Sequence, residues 1–154
     1  MLRIYIDADA CPVKNEVFKV AGRYKLDVVL VSNSWMRIPD NPRISLQVVT
    51  DDLDAADDWI VQQVETDDIV ITADILLAGR CLKKSARVIG TNGKPFTEDN
   101  IGDAIATRDL LYDLRDAGES TGGPPPLKKS DRSYFLQQLD QVVHAIRRAD
   151  SDEC

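Results

Sequence analysis

The chain of 154 residues holds one histidine, three cysteines and few aromatics, 6% in all. His144, the only imidazole, falls on a C-terminal segment patterned as a helix and reads as a surface residue. Ser-His-Asp and Cys-His nucleophilic arrangements therefore have no support. Three scattered cysteines, an odd set, make no disulfide framework. No apolar run approaches the roughly 18 residues of a membrane span. The N-terminus already carries Asp7 where a leader needs apolar length, so the expectation is a cytoplasmic protein with no membrane partner. Asn92-Gly93 and Gly122-Gly123 lack the spacing of a phosphate-cradling loop, which removes nucleoside-triphosphate hydrolysis from consideration.

What is present is an ordinary globular composition, 44% apolar and 29% charged, with a net charge of −7. That charge speaks against broad, sequence-blind binding of nucleic acid. The acids are also unevenly spread. Between Thr50 and Asp68 lie Asp51, Asp52, Asp54, Asp57, Asp58, Glu65, Asp67 and Asp68 with no base among them, and setting these eight aside takes the rest of the chain to +1. One acidic segment in a nearly neutral chain suits a cation site better than a solubility device.

Short Val- and Ile-rich runs at residues 3–6, 28–31, 46–49, 69–72 and 87–89 alternate with helical patterns at 13–24, 53–64 and 75–84. Nearly continuous apolar strands are those buried on both faces of a parallel sheet. The rhythm predicts an α/β fold of three layers around a mostly parallel five-stranded sheet. Pro12 suits the first turn of the first helix. Residues 98–115 are patterned as helix, residues 118–126 are rich in breakers, and Phe135, Leu139, Val142, Val143 and Ile146 give the last helix one apolar face. A single domain over residues 1–149 and a polar tail at 150–154 are expected.

The first strand runs into Asp7-Ala8-Asp9 and the fourth into Thr72-Ala73-Asp74. In open α/β sheets the crevice at the carboxyl ends of the strands is where ligands bind. If the strands are parallel, Asp7, Asp9 and Asp74 share that edge. Carboxylates so gathered repel one another unless some protonate or a cation intervenes, and hard oxygen donors suit Mg²⁺ or Mn²⁺. Counted from Leu53, Ala56, Ile60 and Val64 fall at about 300°, about 340° and about 20°, with Asp57 at about 40° inside the same arc. Asp54 lies on the margin at about 100° and Asp58 further out at about 140°. A carboxylate on the buried face needs a partner, and an ion at the sheet edge would supply one to Asp57, with Asp54 as a further ligand. Plainer readings stand beside this one. Asp74 suits a cap for the helix at Ile75, Asp9 suits the helix near Pro12, and Asp57 suits an arginine partner.

Groups that would hold a substrate are Ser32 and Asn33 after the second strand, and Arg108 and Arg115. Counted from Ile101, those arginines fall at about 340° and about 320°, on the stripe of Ile105, Leu111 and Tyr112. Lys128 and Arg132 would track a nucleic-acid backbone, although a solvated charge run has the same composition. Cys11 reads as a packing residue, and Trp35 serves equally for packing or for stacking on a base.

Ile4-Tyr5-Ile6-Asp7-Ala8-Asp9-Ala10-Cys11-Pro12-Val13-Lys14, Asp54-Ala55-Ala56-Asp57, Ile71-Thr72-Ala73-Asp74-Ile75-Leu76-Leu77-Ala78 and Gly122-Gly123-Pro124 with Asp131-Arg132 and Phe135 resemble the YaiI/YqxD family of small bacterial proteins. Leu53 departs from the pattern, which has glycine there. The family is grouped with the PIN-like fold, and the resemblance implies a sheet whose acids bind Mg²⁺ or Mn²⁺ for phosphodiester hydrolysis, usually of RNA. It implies that role for Asp7, Asp9, Asp57 and Asp74, the set already reached from strand ends and helical angles. The expected function is a metal-dependent nuclease. Two alternatives remain. One is a haloacid-dehalogenase-like phosphatase with Asp7 as nucleophile, Asp9 as acid and Ser32 on the phosphate. The other is a non-catalytic RNA- or protein-binding module.

Overall fold

A computed structural model describes residues 2–8, 11–50, 52, 55–102 and 128–152. Its elements are β1 (Arg3–Asp7), α1 (Lys14–Tyr24), β2 (Asp27–Ser32), β3 (Ile44–Val48), α2 (Ala55–Gln63), β4 (Ile69–Ile71), α3 (Ile75–Leu82), β5 (Arg87–Ile89), β6 (Pro95–Phe96), α4 (helical at 98–102, as far as it is described) and α5 (Lys129–Asp152). Among the described residues one mixed sheet has the order β3-β2-β1-β4-β5-β6. The first four pairings are parallel; β5 and β6 are antiparallel, with Val88 opposite Phe96. The α/β class and the mostly parallel sheet agree with the sequence pattern, but the sheet has six strands and not five. The sixth is a two-residue edge strand opened by Pro95, and an edge is where a residue without an N–H can sit.

Period-two alternation sorts the strand residues between two apolar clusters. Ile4, Ile6, Val28, Leu30, Ile69 and Ile71 pack with Val13 ahead of α1, with Val17 and Val20 of α1, and with Phe135, Leu139, Val143 and Ile146 of α5. Tyr5, Val31, Val70 and Val88 pack with Ile60 of α2 and Leu77, Ala78 and Cys81 of α3. The sheet is thus the middle of three layers, with α1 and α5 on one face and α2 and α3 on the other. Each fully buried Phe, Leu or Ile contributes roughly 1.5–3 kcal/mol. The expected apolar face of α5 is the observed one, with Val142 at its half-buried margin and His144 exposed.

Polar bonds fix the helices against this frame. Arg23 meets Asp140 at 2.7 Å and Arg147 stacks over the Tyr24 ring at 5.4 Å, both joining α1 to α5. Arg80 meets Asp58 at 2.9 Å, and Lys84 Nζ donates to the Val61 carbonyl at 2.6 Å, joining α3 and its end to α2. Helix α1 begins at Lys14 with Val13 as its cap, so Pro12 lies just ahead of the first turn rather than inside it. Of the helix expected at 98–115, residues 103–115 lie outside the described residues, as does the loop at 118–126.

Candidate active site

Registers locate the carboxyl ends. Asp7 is paired with Val31 across β1 and β2, and Ile6 with Ile71 across β1 and β4, so Asp7, Ser32 and Thr72 end neighbouring parallel strands at one edge. Alternation then divides them. Asp7 has the parity of Tyr5 and Thr72 that of Val70, which turns both toward the α2–α3 face. Ser32 has the parity of Val28 and Leu30 and turns toward α1.

The two residues that share a face are bonded. Thr72 Oγ1 donates to Asp7 Oδ2 at 3.0 Å and accepts from the Asp74 backbone N–H at 3.0 Å. Thr72 is 1% exposed, so its hydroxyl is held where both bonds are met. Asp74 caps α3: its Oδ1 accepts from the Leu76 and Leu77 N–H groups at 2.9 and 3.3 Å, which satisfies two of the orphan donors of the first turn. Both capping bonds use Oδ1 and leave Oδ2 to a further partner. The cap expected as the plainer reading of Asp74 is therefore present, and it coexists with placement beside Asp7.

Asp57 is half-buried on α2 and stands close enough to Cys81 on α3 to add to the upward shift of that thiol. Asp58 is exposed and paired with Arg80. Among the described residues no group of three or more His, Cys, Asp or Glu side chains is placed to hold a metal ion. Asp9, Asp54, Arg108 and Arg115 lie outside the described residues. The acidic segment is also less unified than its composition suggests. Asp67 faces Arg87 at 3.6 Å, and Asp68, 4% exposed, lies at the opposite edge of the sheet. There it accepts from the Arg3 N–H at 3.1 Å and the Glu65 N–H at 2.9 Å, and burial raises its pKa. Asp68 holds the starts of β1 and β4 together.

Among the residues expected to bind substrate, Ser32 is fully buried and its Oγ accepts from the Ser34 N–H at 3.2 Å. Asn33 follows it, exposed. Arg132 donates to the Pro12 carbonyl at 2.7 Å and faces Glu16 Oε1 at 3.5 Å, fastening α5 to the loop ahead of α1. Lys128 is exposed, and its backbone N–H donates to Asp131 in the first turn of α5.

Sequence reasoning missed two polar residues here. Thr72 looked like the tail of a strand. Glu16 is 9% exposed, and its Oε2 has no hydrogen-bond partner among the described residues. The angular test applied to Asp57 would have found it: from Val13, Glu16 falls at about 300°, beside Val20 at about 340°. Burial pushes the neighbouring Cys11 thiol up to about 11, with Asp7 and Glu16 adding to the shift and Lys14 opposing it. Cys11 is 6% exposed and is a packing residue.

Known proteins give a consistent comparison. Residues 5–145 match the family described as "Uncharacterized BCR, YaiI/YqxD family". A UPF0178 protein of Paramagnetospirillum magneticum is 58% identical over 148 residues, covering 96% of this chain and 98% of that one. A UPF0178 protein of Sphingopyxis alaskensis is 54% identical over 146 residues, 94% of this chain and 95% of the relative. One of Rhodospirillum centenum is 52% identical over 152 residues, 96% and 99%. No solved structure matches the chain. With similarity running from end to end of both partners, the chain belongs to the YaiI/YqxD family.

Proposed function

We propose that this protein is a divalent-metal-dependent phosphodiesterase of PIN-like fold that cleaves nucleic acid, RNA in preference to DNA. One observation carries the reading: at the carboxyl edge of two parallel central strands, a buried threonine hydroxyl joins the Asp7 carboxylate to the start of the Asp74 cap. The donors at that edge are hard oxygens, the kind that Mg²⁺ or Mn²⁺ takes. Asp9, two residues beyond Asp7, would complete a set with Asp57 and Asp74, and Asp54 would stand beside them. When bound, the ion lowers the pKa of a water and offsets charge on the attacked phosphate.

The chain's own groups do the positioning. Thr72 fixes the orientation of the Asp7 carboxylate, and the cap on α3 fixes Asp74. A carboxylate of the set takes the proton from the attacking water, a role that needs no histidine. Ser32 is buried and strand parity turns it away from Asp7, which favours the nuclease reading over the phosphatase one.

Purified protein with single-stranded and hairpin RNA, in Mn²⁺, Mg²⁺ or EDTA, tests the proposal against Asp7→Asn. Cleavage should require the metal and fall by at least about 100-fold in the variant, since even partners behind the ligands change activity by roughly 10–100-fold. Cleavage that persists in chelator or in Asp7→Asn overturns it. RNA retained without cleavage would identify a binding module instead.

A further inference from the structure

The α1 side of the same sheet edge carries a feature that the acids do not use. The start of α1, the end of β2 and the loop after it enclose a cleft of about 320 Å³, lined by Lys14, Phe18, Leu30, Arg37 and Ile38 among others. Its floor is apolar: Leu30 belongs to the core, with Phe18 and Ile38 packed against it. Its rim is cationic. Lys14 Nζ lies 3.9 Å from the Met36 sulfur, and neither Lys14 nor Arg37 forms an ion pair among the described residues. Arg23, Arg43, Arg80, Arg87 and Arg132 are all paired with carboxylates. Other described cations, Arg3, Lys19 and Lys94 among them, also form no ion pair, but here two such cations share one cleft whose named lining residues include no acid.

Beside them, one residue on the other side of Met36, Trp35 is 77% exposed. An exposed indole two residues along the chain from Arg37, with Lys14 and Arg37 at the cleft rim, complements a ligand that is polyanionic and carries flat aromatic faces. Single-stranded nucleic acid has both properties; in a duplex the base faces are already stacked on one another.

We propose that Lys14, Arg37 and Trp35 form a subsite for single-stranded RNA, with the two cations on successive phosphates and the indole stacked on a base. The cleft lies on the α1 face of the sheet, across it from the face toward which Asp7 turns. This inference deepens the phosphodiesterase reading and rests on it for the preference of RNA over DNA.

Fluorescence anisotropy of a short labelled single-stranded RNA, a duplex RNA and a single-stranded DNA, all in EDTA, separates the two ideas. Trp35→Ala should weaken binding of single-stranded RNA roughly 5- to 150-fold, the range covered by one aromatic–base stack. Lys14→Gln with Arg37→Gln should reduce the slope of log affinity against log salt by about 1.4, or about 0.7 for Arg37→Gln alone if the change at Lys14 disturbs α1. Absence of wild-type binding, unchanged affinity in the variants, or equal binding of duplex or DNA would overturn the inference. Metal-dependent cleavage with unaltered binding by the variants would remove this subsite and leave the nuclease. Loss of binding in the variants of a protein that never cleaves would do the reverse.

Discussion

Cys11 and Cys81 sit in the two clusters on opposite faces of the sheet, and burial raises each thiol to about 11. A free thiol titrates at about 8.5. Each proton is therefore held more tightly by the folded chain than by the unfolded one. This contribution to stability is complete below the free-thiol pKa and is lost as pH rises toward 11, at up to about 1.4 kcal/mol per pH unit for each thiol. Urea unfolding at several pH values across that window should show a shallower fall for Cys81→Ala than for wild type, whatever stability the smaller side chain has already cost. Parallel curves would show that folding does not raise the pKa of the Cys81 thiol. Other positions were legible from the sequence to varying depth. The strand-end acids were visible because an apolar run stops at them. The face to which each strand end turns needs only a parity count, and that count sends Ser32 away from Asp7. Glu16 escaped because its neighbours Asn15 and Lys14 give the start of α1 a polar look that hides one inward position.

Elements were read best where periodicity and burial agree. Strands β1, β2, β4 and β5 are within a residue or two of the expected runs, and α5 buries the expected face. Strand β6 was not legible, since two residues carry no period and Asn92-Gly93-Lys94-Pro95 reads only as a turn. Its hairpin depends on Gly93. The φ of +87° there is one that other residues rarely adopt, and an added Cβ would lie 2.9 Å from Tyr134 Cδ1 and 3.1 Å from Phe135 Cα. Gly93→Ala should destabilise the protein by roughly 1–3 kcal/mol. Gly22→Ala, with open space around the new Cβ inside α1, should stabilise it by about 0.5–1 kcal/mol. Chemical denaturation of the two variants checks the pair, and equal effects would mean that the turn does not bear on α5. The acidic segment at 50–68 shows the limit of composition: Asp58 and Asp67 face arginines, and Asp68 binds backbone at the far edge, so contiguous charge in sequence became dispersed charge in space.

At the scale of the molecule, topology brings together what the chain separates. Asp7 and Thr72 are 65 residues apart, yet they meet because β4 lies beside β1 and parallel to it. The rhythm of runs and helices implied parallel strands, whereas the order β3-β2-β1-β4-β5-β6 could not be read from one sequence. No described helix is long and apolar enough to cross a membrane. On the function proposed above, the acid edge beside Thr72 takes up a divalent ion. Titration calorimetry of Mn²⁺ into wild type and Asp7→Asn, paired with unfolding curves, tests it without any substrate. The wild type should bind and gain about 2.7 kcal/mol at a hundredfold excess over Kd, while Asp7→Asn should lose most of that gain. A wild type that takes up no ion, or a variant that binds as the wild type does, would rule out a metal site built on Asp7.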